Sequence, residues 1–94
     1  MKTKTTIQNL TFTIQIFREG KMFIAHNPEL KVSSCGNSLE EAKLNLRDAI
    51  SGFLKSVKKL GTLQEILEEA GSVQRRNQWF DPELLVIDRL SLAI

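Results

Sequence analysis

The sequence has one cysteine, one histidine and two prolines. A single cysteine, Cys35, allows no internal disulfide, and a reducing, cytoplasmic location is the expectation that follows. His26 has no second histidine with which to share a metal, and Cys35 alone cannot complete a site of three or four ligands. Neither a metal nor another cofactor is therefore expected. Strongly apolar runs such as Leu84–Ile87 fall far short of the roughly 20 residues a membrane helix needs. Residues 1–6 are polar and basic, with no apolar segment behind them, so no secretion signal is read there. Internal repeats and low-complexity stretches are also lacking.

What is present fits one domain. The chain has 94 residues and 41% hydrophobic side chains, enough for a modest core and too short for two full domains. The net charge of +2 is too small to imply nucleic acid, but its distribution is uneven. Residues 1–37 carry five basic and two acidic side chains, residues 38–61 five and three, and residues 62–94 three and six. The acidic last third argues against a DNA-reading module there.

Residues 1–9 read as a flexible tail. Leu10, Phe12, Ile14 and Ile16 then alternate with polar residues, which predicts a half-buried strand. Arg18-Glu19-Gly20 supplies a reversal, and Met22–His26 is the return strand. Both its faces carry apolar groups, so it is expected at the sheet centre. Asn27-Pro28 ends it, and Val32–Cys35 is a short third strand closed by Gly36-Asn37.

Ser38 with Glu41 makes a capping box. Leu39, Ala42, Leu46, Ala49, Ile50, Phe53, Val57 and Leu60 then recur at three- and four-residue steps, the stripe of a helix of about six turns. Gly61 ends it. Thr62 with Glu65 predicts a second capping box and a short helix stopped by Gly71. Residues 72–83 read as a loop and Leu84–Leu92 as a final strand, with Val86, Leu90 and Leu92 on one face and Asp88 interrupting. The expectation is an α+β fold of order β-β-β-α-α-β, an antiparallel sheet with helices on one face.

The run from Phe12 to Gly71 resembles the HicB antitoxin family. The matching residues are Phe23, Pro28, Glu29, Leu30, Gly36, Ser38, Leu39, Glu40, Glu41, Ala42, Leu46 and Ala49. Many members have a Pro-Gly-Cys-like turn where this chain has Lys31-Val32. The resemblance implies a pared-down ribonuclease-H-like sheet without catalytic carboxylates. It also implies a type II toxin–antitoxin partner: a HicA-like toxin, a small mRNA-cleaving enzyme, would be bound and neutralised. Many members add a C-terminal DNA-binding domain. Here only 23 residues, strand-like in composition, follow Gly71, so promoter binding is not expected of this chain.

No catalytic residue is assigned. Ribonuclease-H-type chemistry needs several carboxylates converging on metal ions, and the three strands read above contain none. A lone histidine near a proline turn is more often structural than catalytic, and Cys35 reads as a small strand residue beside a turn. Trp79 and Phe80, entering the final strand, are candidate partner anchors, because aromatic groups give large contact area for little ordering entropy. Glu83 and Asp88 would give that surface the sign needed against a basic, RNA-binding toxin. Lys43, Arg47 and Lys55 on the long helix offer an alternative, a small nucleic-acid-binding module. Open sheet edges make a homo-oligomer the further expectation.

Overall fold

A computed structural model describes residues 8–94. The expected flexible tail at 1–9 thus lies mostly outside the described residues. The elements are β1 (Gln15–Glu19), β2 (Met22–Asn27), β3 (Val32–Gly36), α1 (Leu39–Leu60), α2 (Leu63–Glu69), β4 (Val73–Arg75) and β5 (Gln78–Phe80). The class is α+β, with a three-stranded antiparallel sheet ordered β1-β2-β3 and a separate hairpin β4-β5.

β2 is the central strand, as its two apolar faces required. Ile16, Ala25 and Ser34 lie abreast on one face, and Phe17, Ile24 and Cys35 abreast on the other. The first turn is Gly20-Lys21 between the paired residues Glu19 and Met22. Gly20 has φ 63°, the conformation a two-residue hairpin wants at its first loop position and one that glycine adopts cheaply.

β1 begins at Gln15, not at Leu10. Gln15 pairs with His26, and β2 turns away at Pro28, so no strand remains to pair with Leu10–Ile14. Phe12 and Ile14 still pack on the core. This approach is tied down by Asn27, which is fully buried. Its Nδ2 donates to the Thr13 carbonyl (2.8 Å) and to Glu29 Oε1 (2.7 Å). Its Oδ1 accepts from the Leu30 N–H (2.7 Å), while the Thr13 N–H donates to the same Glu29 oxygen (2.7 Å). The burial of Asn27 is tolerable because each of its polar atoms has a partner.

Ser38 caps α1 as predicted, while Glu41 reaches back one residue further than a standard capping box, to Asn37. The Glu41 N–H donates to Ser38 Oγ (3.0 Å), and the Asn37 N–H donates to Glu41 Oε1 (3.2 Å). Ala42, Leu46 and Ile50 are buried against Ala25, with Phe12, Ile14, Ile16, Phe23, Leu30, Val32 and Leu54 around them. Leu46 alone, fully buried, contributes about 1.5–3 kcal/mol of transfer free energy. α1 rests mainly on β3, less on β2 and least on β1. Gly36 makes the close approach possible, because a Cβ there would stand 2.5 Å from the Ala42 nitrogen.

At the far end Gly61 takes φ 81°. Its N–H donates to Lys58 O (3.2 Å) and the Thr62 N–H to Val57 O (2.9 Å), a Schellman cap. The second capping box does not form: Thr62 makes no side-chain cap to α2. Its hydroxyl points back to Val57 O (3.4 Å), following its own N–H into the cap of α1. α2 packs on the end of α1 and on β4 rather than on the three-stranded sheet, so α1 alone forms the helical layer.

Two further expectations are corrected. The loop at 72–83 contains the hairpin β4-β5, turning through Arg76 (φ 50°) and Asn77 (φ 64°), the two positive φ values of a type I′ turn. The final strand Leu84–Leu92 is absent: residues 81–94 have no regular secondary structure and all are exposed. A strand needs a neighbour, and this chain supplies none to that segment. It is an arm. The radius of gyration, 16.1 Å, exceeds the roughly 12 Å of a compact chain of this length.

Candidate partner-binding surface

Trp79 and Phe80 are successive residues of β5 and so face opposite ways. Trp79 stands opposite Gln74 and is half-buried, whereas Phe80 stands opposite Val73. Phe80 and Val73 are 48% and 47% exposed and form a small apolar patch. The two aromatics are therefore not one anchor: Phe80 is presented to solvent and Trp79 belongs to the domain.

The backbone of Trp79 is held by Gln8. The Trp79 N–H donates to Gln8 Oε1 (2.9 Å), and Gln8 Nε2 donates to the Trp79 carbonyl. A side-chain amide thus satisfies both backbone groups, as a neighbouring strand would. Two residues on, Asp81 Oδ1 accepts from the Thr11 N–H (2.9 Å). Pro82 packs against Gly71, whose added Cβ would meet it at 3.3 Å. The root of the arm is fixed, and Gln8, as part of the anchor, departs from the flexible tail expected for it.

Beyond the root the arm is apolar and free. Leu84, Leu85, Val86, Ile87, Leu90, Leu92 and Ile94 are between 61% and 122% exposed. Glu83 and Asp88 are exposed among them, and Asp88 Oδ1 accepts from the Arg89 N–H (2.7 Å). A contiguous apolar stretch of this size exceeds ordinary surface scatter.

The cations of α1 separate. At 100° per residue, Lys43 and Arg47 lie about 40° apart around the helix and Lys55 about 120° from Lys43, some 18 Å further along. They do not make one stripe. Lys43 and Arg47 instead rim an apolar groove of about 430 Å³ lined by Ile14, Glu40, Lys43, Leu44 and Arg47. Leu44 is 57% exposed. Its position off the buried stripe, between two cations, was the sequence signal for this groove.

On the outer sheet face, Phe17 is 53% exposed and Met22 36%, with Ile24 and Cys35 beside them. His26 Nδ1 lies 2.6 Å from Ser33 Oγ, its cross-strand neighbour. Cys35 stands opposite Ile24, diagonal to His26. Its carbonyl accepts from Asn45 Nδ2 (2.8 Å). Glu19, at the end of β1, is the one carboxylate in the sheet strands. Among the described residues no three His, Cys, Asp or Glu side chains gather as a metal site, and no helix is long and apolar enough to cross a membrane.

No family model, curated protein or solved structure matches this chain.

Proposed function

We infer that this protein is a HicB-like antitoxin, a partner-binding protein that neutralises a HicA-like mRNA-cleaving toxin by covering its RNA surface. The observation that carries the reading is the exposed, acidic and apolar stretch from Phe80 through the arm. It has a fixed root and no partner within the described residues. A basic nuclease face offers the opposite sign, and Glu83 and Asp88 would steer the encounter while apolar side chains supply the contact.

Local geometry supports the family reading. Lys31 has φ 58°, and Lys31-Val32 is where this chain departs from the Pro-Gly-Cys-like turn of many members. Gly36, the Ser38–Glu41 cap and the Asn27-Pro28-Glu29-Leu30 turn, the residues on which the resemblance rests, are those that build the platform. In this reading the fold is the HicB-like, degenerate ribonuclease-H-like sheet, the protein is cytoplasmic, and no residue of it is catalytic.

The test is co-expression with a HicA-like ribonuclease, followed by co-purification and an RNA-cleavage assay. A stable complex and lost cleavage are expected, with Phe80→Ala and the pair Glu83→Lys, Asp88→Lys each weakening inhibition. Cleavage that persists with this protein in excess would overturn the reading. Strongly salt-dependent RNA binding by this chain alone would favour the nucleic-acid module instead.

A further inference from the structure

The arm and the groove fit each other. As an extended strand the arm places Leu84, Val86, Asp88, Leu90, Leu92 and Ile94 on one side, while Leu85, Ile87, Arg89, Ser91 and Ala93 fall on the other. One side is thus apolar except for a single carboxylate. The groove between α1 and the residues leading into β1 is apolar except at its rim, where Lys43 and Arg47 stand, with Glu40 one turn before Lys43. β1 is the edge of its sheet, and the outward backbone groups of such a strand are a template for another one.

We propose that two copies of this chain exchange arms. The arm of each copy adds beside β1 of the other as a fourth strand. It lays its apolar side on Ile14 and Leu44 and sets Asp88 against Lys43 and Arg47. The occupant is a second copy because donor and acceptor are both on this chain and its own arm leaves its own groove open. A reciprocal pair saturates both arms and both grooves, a closed two-fold arrangement. Asp88 is the reason for the register. A carboxylate in the middle of an apolar strand face is costly to cover unless cations meet it, and this groove supplies two.

The area is sufficient. Five large side chains at about 100 Å² each, on two arms, cover on the order of 1,000 Å², and the smaller groove and β1 edge bring the total toward the lower end of the usual range. Specific, stable interfaces bury about 1,200–2,000 Å². The exchange needs no toxin. It uses the same apolar side and the same Asp88 as the proposed toxin contact, so a toxin would either displace the second copy or engage Glu83, near the root, and Phe80, on the hairpin.

Sedimentation equilibrium of the full chain tests this. The expected result is a reversible dimer of twice the 10.7 kDa chain mass. Asp88→Lys should raise the dissociation constant by about tenfold or more, through like charges at the groove. Adding Lys43→Asp and Arg47→Asp to that variant should restore most of the loss. Leu90→Asp should dissociate the pair with the helical circular dichroism signal unchanged and the added strand signal lost, since Leu90 is exposed in the arm. A monomer at every concentration overturns the proposal, as does a dimer indifferent to Asp88→Lys and Leu90→Asp. So does an arm that gains protection from hydrogen exchange only when an RNA-cleaving partner is added.

Discussion

Replacing Gly36 by alanine tests the packing on which the platform depends. Gly36 is the last residue of β3 and is buried. Its φ is not in the left-handed region, so alanine brings no backbone strain and the cost is steric. The new Cβ would meet the Ala42 nitrogen at 2.5 Å, the Glu41 carbonyl carbon at 2.8 Å and the Ala42 Cα at 3.0 Å. All three are backbone atoms in the first turn of α1, and none can rotate away. Reaching an ordinary contact of 3.4 Å requires strand and helix to part by about 0.9 Å, and a gap of that size forfeits a quarter to a half of each contact across it. Ala42 and Leu46, both fully buried, would lose most. Together with the overpacking cost, the destabilisation should be about 2–4 kcal/mol. Urea denaturation followed by helical circular dichroism would show a midpoint about 2–3 M lower at unchanged slope, and the melting temperature should fall by about 10–20 °C. Gly52→Ala is the control. It lies exposed within α1 with nothing within 4 Å of an added Cβ, and alanine there should stabilise by about 0.8–1 kcal/mol. A Gly36→Ala protein within about 0.5 kcal/mol of wild type, the ordinary range for surface changes, would refute the reasoning.

Asn27→Ala should cost about 2–4 kcal/mol in urea unfolding, because the Leu30 N–H and the Thr13 carbonyl lose buried partners. Asn27→Asp keeps the acceptor but removes the donor and sets a second carboxylate beside Glu29, so it should be no better tolerated. The two helix starts should respond differently. Ser38→Ala loses a formed cap and about 1 kcal/mol, whereas Thr62→Ala, with no cap to α2, should stay within about 0.5 kcal/mol of wild type on the same assay. Lys31→Gly should stabilise by about 0.5–1 kcal/mol, since relief of the left-handed strain exceeds glycine's entropy cost. An unchanged or lowered urea midpoint would contradict that.

Local signals made much of this fold legible. The stripe and caps of α1, the Gly20 reversal and the central place of β2 each follow from residues within one or two turns of each other. Where the outcome depends on a distant partner, the sequence misleads. Leu10–Ile14 has the alternation of a strand, yet β2 ends before it can pair. Leu84–Leu92 has strand composition, yet lacks a ladder. The hairpin β4-β5 is hard to read because its strands are only three residues long and half of their residues are polar. Its best sign was Asn77, a residue that tolerates positive φ. At the candidate surface, Glu83 and Asp88 were legible as exposed acids. The grouping of Trp79 with Phe80 was not sound, because strand periodicity sends them to opposite sides.

The anchoring of the arm bears on how it would bind. An unstructured segment loses part of its binding free energy to ordering, at about 1–2 kcal/mol per residue of backbone. Here Gln8 holds Trp79, Thr11 holds Asp81, and Pro82 is seated on Gly71. The residues that set the arm's direction are therefore ordered by the domain itself. Ordering is left to the segment beyond Pro82, where β-branched Val86 and Ile87 already favour extended backbone. Among the described residues, half of the exposed large apolar side chains lie on this arm. The domain's own core is small: six buried apolar residues among those described, four of them on α1. Folding holds the platform and the root, and in the proposed exchange association supplies what the arm lacks, a strand beside it and a cover for its apolar side.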